Sequence, residues 1–192
     1  MLEIIFMSEE LKWEYVVKKF KNYDIYYTLE YVRAFNIHGD GIPILFYYED
    51  KYIRAMNVVM KRDISKDKNF INKIPINTYY DLSTPYGYGG FLIEGQLNEN
   101  SLINLFSNYN DYCTINSLGN TITMNLNNEN QIWEDLSSKN KNVIRKAIKS
   151  GVKVYWESSD KIFAEFMKMY NMTMDKDSAE DYYYFKEDFY KS

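Results

Sequence analysis

"IPILFYYED" (residues 42–50) and "YIRAMNVVMKRDI" (residues 52–64) decide the fold. Both runs are dense in β-branched and aromatic side chains, and they meet at Asp50-Lys51, so they read as a β-hairpin turning there.

Working outward toward the amino terminus, Gly39 and Gly41 punctuate the chain just before the hairpin and close a predicted helix over 28–38. A further helix is expected over 8–21, with Ser8 as N-cap and Leu11, Tyr15, Val16 and Phe20 recurring at helical spacing. On the other side, 65–76 reads as a polar connector and "NTYYDLST" (77–84) as a short strand. A glycine-rich loop follows, and then "FLIEGQL" (91–97), which looks extended. Residues 97–109 read as a helix with Leu102, Leu105 and Phe106 facing inward, and 111–117 and 120–126 as two strands.

The last third has a different rhythm. Residues 132–136 start a helical stretch, Ser137 or Ser138 can cap the next helix over 139–150, and Gly151 stops it. "VKVYW" (152–156) reads as a strand. Ser158 or Ser159 then caps a helix from about 160 to 174, and 180–192 reads as more helix. No repeat at solenoid periods is found. This order of elements implies an α/β (α+β) fold, a mixed sheet covered by helices.

With 46% apolar residues and three prolines the chain can bury a sizeable core. A net charge of −4 argues against a general polyanion binder. Cys113 is the only cysteine, so there is no internal disulfide. The apolar start is too short for a secretory core and lacks preceding basic residues. No apolar run approaches the roughly 20 residues of a membrane span. A soluble, cytoplasmic protein is expected. Tyr182, Tyr183, Tyr184, Phe185, Phe189 and Tyr190 are too many rings for one helix face, so self-association through the carboxy-terminal third is expected.

The single histidine, His38, sits at a predicted helix end beside a glycine turn, which excludes a histidine-based triad or metal centre. Cys113 falls in a predicted strand with no general base nearby in sequence, and free cysteine is commonly buried. No CxxC, HExxH or Walker pattern is present.

Two segments stand out as binding candidates. In "DLSTPYGYGG" (81–90), Gly87, Gly89 and Gly90 alternate with Tyr86 and Tyr88. One reading is a turn in which Pro85 fixes φ and the glycines supply φ > 0. The other is a backbone nest whose N–H groups meet an anion. The second segment is basic. Between Leu136 and Trp156 there is no acidic residue, while Lys139, Lys141, Arg145, Lys146, Lys149 and Lys153 are present. Lys141, Arg145 and Lys149 form one row of a helix, and Val143, Ile144, Ala147 and Ile148 an opposite apolar stripe expected to pack inward. Such a row is either an ordinary solvated face or a phosphate contact.

Together, "YYDLSTPYGYGG" and "IWEDLSSKNKNVIRKAIKSGVKVYW…FAEFMKMYNMTM" resemble the FemAB-like branch of the GNAT acyltransferase superfamily. That branch includes the peptidyltransferases that add amino acids to peptidoglycan precursors. Its pattern falls here on Asp81, Pro85 to Gly90, Trp133, Leu136, Asn142, Ile144 to Ala147, Lys149, Gly151, Tyr170 and Thr173. Lys141 stands where the family often has arginine, which keeps the charge and loses the bidentate fork.

The resemblance implies a GNAT-like, mainly antiparallel sheet flanked by helices. It makes residues 1–130 a first GNAT-like subdomain and 131–192 a lead-in to a second that these residues do not include. It also implies transfer of an acetyl or aminoacyl group to an amine, the acceptor being a small molecule or peptidoglycan precursor. The donor would be acyl-coenzyme A or aminoacyl-tRNA, with no cofactor held by this chain, no turnover by it alone, and tRNA as a possible partner. Tyr86, Gly87, Tyr88, Gly89, Gly90, Lys141, Arg145 and Lys149 are the expected ligand contacts. A non-catalytic binding module and a fragment without independent function are the alternatives.

Overall fold

The computed structural model describes residues 1–114, 128–157 and 159–191. They fall into two units, one of residues 1–115 with 184–192 and the other of residues 116–183.

In the first unit, β1 (Leu2–Phe6), β2 (Ile42–Glu49) and β3 (Ile53–Asp63) form an antiparallel meander in which β2 lies between its neighbours. The hairpin read from the sequence is present. Its turn is built by Asp50, whose Oδ1 accepts the amides of Tyr52 (2.7 Å) and Ile53 (2.8 Å). Donation from the Ile53 amide, foremost, pulls the Asp50 carboxyl down to about 2. β4 (Tyr80–Ser83) and β5 (Leu92–Gly95) both pair antiparallel with β3. The sheet is thus antiparallel throughout the described residues.

The middle strands are buried on both faces, which explains their near-continuous apolar runs. On one face Ile5, Leu45, Tyr47, Met56, Val58 and Met60 pack against α1 (Glu10–Lys18) and α2 (Leu29–His38). On the other, Ile44, Phe46, Ala55 and Val59 pack against Leu105 and Tyr109 of α3 (Glu99–Asn110). α2 ends as its glycine predicts: Gly39 adopts φ 103°, and its N–H reaches Phe35 O and Asn36 O.

Several expectations are corrected. Residues 2–6 form a strand that the sequence reading passed over. The stripe of α1 is Trp13, Val16 and Val17, with Phe20 buried just beyond the helix, whereas Leu11 and Tyr15 are 87% and 64% exposed. The indole decides this rotation: Trp13 is fully buried and its Nε1 donates to Tyr27 O at 3.0 Å. Glu9, not Ser8, precedes the helix, and its carboxylate accepts the Phe6 amide. Asp111 and Tyr112 close α3 instead of opening a strand. Most of the two strands expected over 111–117 and 120–126 lies outside the described residues.

The carboxy-terminal segment joins the first unit through α7 (Glu187–Tyr190). Phe185 and Phe189 pack against the core, with ring centroids 6.4 and 5.1 Å from that of Phe35. These two rings of the expected self-association surface are therefore partly covered by the chain itself, while Tyr182 and Tyr183 remain exposed.

The second unit carries α4 (Glu129–Asp135), α5 (Ser138–Lys149) and α6 (Asp160–Asp177). Asn128, Ser137 and Ser159 cap them through their side-chain oxygens. Gly151, at φ 73°, ends α5 as expected. Residues 152–156, expected as a strand, form none among the described residues. The apolar stripe of α5 is only partly packed: Ile144 and Ala147 are half-buried, whereas Val143 and Ile148 are 61% and 69% exposed. Among its described residues this unit has no buried side chain on any helix.

Candidate functional site

β3 has two partners on its outer edge. β4 faces Met60–Asp63 and β5 faces Ile53–Met56, both running in the same direction. They are therefore one edge strand, interrupted by residues 84–91, which stand opposite only residues 57–59. The glycine loop is a large bulge extruded from that strand.

Its base is clamped by Arg62 and Asp81, directly opposed across the ladder and joined by two hydrogen bonds, Nε–Oδ1 at 2.8 Å and Nη2–Oδ2 at 2.5 Å. Pro85 is buried and begins a 3-10 turn, with Gly87 N donating to Thr84 O at 3.1 Å. Tyr86 (φ 53°) and Gly87 (φ 79°) are successive left-handed residues, and Gly89 (φ 130°) keeps positive φ beyond them. A side chain on Gly89 would press on Thr84 Cγ2, whereas one on Gly87 or Gly90 would meet nothing within 4 Å. Backbone geometry thus accounts for the glycines, and the space above Gly87 and Gly90 is open to an approaching group.

Aromatic packing holds the bulge in place. The rings of Tyr26, Tyr88 and Tyr86 form a row, 5.7 and 6.5 Å apart and nearly parallel at 29° and 28°. Tyr86 also lies 5.8 Å from Phe35. Tyr27 donates its hydroxyl to Gly90 O at 3.2 Å, and burial pushes that phenol up to about 12. Tyr26 was missed in sequence because it lies sixty residues upstream, in a chain where 20 tyrosines hide any single one.

In the second unit, two of the three basic row residues are engaged by α4. Lys141 Nζ donates to Glu134 O at 3.0 Å, and the Arg145 guanidinium lies over the Trp133 ring at 5.3 Å. Lys149, on the last turn, is exposed and forms no ion pair among the described residues. The resemblance-derived residues of α6 are also used locally, Tyr170 donating to Tyr183 O at 2.8 Å and Thr173 to Met169 O at 2.9 Å.

The other candidates have structural surroundings. Cys113 packs against the core beside Tyr109, and burial pushes its thiol up, away from the thiolate a nucleophile needs. The His38 ring lies 4.7 Å from that of Phe185. No group of three or more potential metal ligands occurs among the described residues. No helix among them is long and apolar enough to cross a membrane.

Residues 113–192 match the model of the FemAB family. This stretch of the chain is FemAB-like. It contains all of α4, α5 and α6, so the basic row lies within the FemAB match and the glycine bulge lies outside it. Searches of curated proteins and of solved structures found no match.

Proposed function

We propose that the chain is the acceptor-binding part of a FemAB-like acyltransferase that moves an acetyl or aminoacyl group onto an amine of a peptidoglycan precursor or related small molecule. The FemAB match over 113–192 carries this reading. In the reaction, the neutral amine attacks the carbonyl carbon of a thioester or ester. A C–N bond forms, the C–S or C–O bond breaks, and the coenzyme A thiol or tRNA hydroxyl departs, taking up through solvent a proton equivalent to the one the amine loses. The donor is acyl-coenzyme A or aminoacyl-tRNA.

The binding roles follow from chemistry. The open backbone at Gly87 and Gly90 and the faces of Tyr86 and Tyr88 suit a polar, partly planar acceptor. In the other unit, and taken by themselves, Lys141, Arg145 and Lys149 offer positive charge to phosphate groups. Catalysis is expected to rest on positioning and oxyanion stabilisation, without a general base from this chain. We expect binding without turnover from the isolated chain.

The test pairs calorimetric titration of a uridine-diphosphate-linked peptidoglycan precursor with an acyl-transfer assay using acetyl-coenzyme A and a panel of amines. Precursor binding that is lost in Arg145→Glu/Lys149→Glu supports the proposal. Absence of binding removes the acceptor role, and turnover by the chain alone overturns its assignment as a partial enzyme. Binding that survives without any turnover after a complementary donor-binding protein is added favours a non-catalytic binding module.

A further inference from the structure

α5 presents to solvent part of what a helix ordinarily buries: Val143 and Ile148 are exposed, while Ile144 and Ala147 between them are half-buried. At about 100° per residue, Val143, Ile144, Ala147 and Ile148 share one arc. Lys139 and Lys146 border that arc on one side and Lys141 on the other, with Arg145 and Lys149 on the opposite face. Val143 and Ile148 are largely exposed, and the chain continues directly into Val152, Val154, Tyr155 and Trp156, the last 97% exposed.

We infer that α5 with residues 152–156 docks on an anionic lipid surface. The inference goes beyond acyl transfer and does not depend on it. Charge selects lipid over a neutral protein groove. Six basic residues and no acidic one lie between Leu136 and Trp156, in a chain of net charge −4. Lys139, Lys146, Lys149 and Lys153 are exposed and form no ion pair among the described residues.

An anionic bilayer satisfies both halves of this surface. Its acyl boundary takes an apolar helix face to a depth of about 5–10 Å. Its headgroup phosphates receive the bordering lysines, whose stems lie along the apolar arc while their ammonium groups stay in the polar layer. Trp156 and Tyr155 are the ring types that favour that interface, with an apolar body and a polar handle.

The experiment is co-flotation of the full chain with phosphatidylcholine vesicles, with and without phosphatidylglycerol, alongside tryptophan quenching by brominated lipid. Binding to the anionic vesicles is expected to exceed binding to the zwitterionic ones by about tenfold or more, and to fall with salt. Lys139→Glu/Lys146→Glu and Ile148→Ser should each reduce it to a similar degree with unchanged helicity. Quenching in the unsubstituted chain should disappear in Trp156→Phe, which tests the geometry without disturbing α5. Failure to float with anionic vesicles overturns the inference, as does binding that Ile148→Ser leaves intact. Concentration-dependent dimerisation that shields Trp156 without lipid also overturns it and assigns the face to protein contact.

Discussion

The Arg145 guanidinium carbon sits 5.3 Å from the centre of the Trp133 ring, and this stack, with the Lys141 hydrogen bond to Glu134 O, joins α4 to α5. The contact is partly exposed, so it is worth about 0.5–1 kcal/mol. Trp133→Leu should release α4 and make its backbone amides exchange several-fold faster, as read by hydrogen exchange. Arg145→Lys should have the same effect, since it keeps the charge and loses the planar stacking surface. Unchanged exchange in both would show that the lysine contact alone holds α4.

Glu94 makes stability depend on acid. Burial acts to raise its pKa, but hydrogen bonds from Arg54 and from the amides of Lys21 and Asn22 outweigh it and hold the carboxyl below its ordinary value. The stabilisation is therefore complete above the unfolded carboxylate value, about 4.3, and is lost as pH falls through the lower folded value. Glu94→Gln should cost about 2 kcal/mol at neutral pH. Denaturant titrations should also show a smaller loss of stability for the variant between neutral and strongly acidic pH.

Glycines at positive φ should differ sharply in cost. A side chain on Gly95 (φ 118°) would collide with the carbonyl oxygen of Tyr52, so Gly95→Ala should lose about 3 kcal/mol or fail to fold. Gly87→Ala meets open space and bears only left-handed strain, about 1–2 kcal/mol. Gly89→Val adds pressure on Thr84 and should fall between the two. Thermal melts of the three variants rank them directly.

The rotation of α1 is open to the same treatment. Val16→Ala removes buried atoms and should cost about 2 kcal/mol, whereas Leu11→Ala should stay within about 0.5 kcal/mol of the parent. Trp13→Phe should lose about 1–3 kcal/mol, because it strands the Tyr27 carbonyl as well as reducing packing. Equal costs for Leu11 and Val16 would contradict the observed helix face.

The hairpin was legible because burial on both faces writes itself as an unbroken apolar run, and the ends of α2 and α5 because glycine there has a backbone reason. β1 was not legible, since five residues reveal a strand only through their partner, and Ile44 to Tyr48 lie some forty positions away. In the helix predicted over 8–21, Val16 and Phe20 were read correctly as buried, but Leu11 and Tyr15 were not, because the long-range contact of Trp13 with Tyr27 O turns the buried face toward the indole. The FemAB-like character of α4 to α6 was readable from local motif residues. The neighbours of that motif were not: Arg145 over Trp133 was hidden because spacing predicts which residues share a helix face and says nothing of what covers it. Likewise "NTYYDLST" and "FLIEGQL" were both read as extended, but that they are two pieces of one strand is a property of β3.

The broken edge strand has a consequence for how this protein keeps to itself. A long, flat outer strand would offer an unbroken row of N–H and C=O groups on which a foreign chain can template. Here that outer row is cut into two four-residue pieces, and the protruding 84–91 segment stands between them. An incoming strand finds a short run, then an obstruction carrying Tyr86 and Tyr88, and cannot extend its pairing from β4 to β5. On this edge of the sheet the protruding segment therefore works against strand-to-strand aggregation.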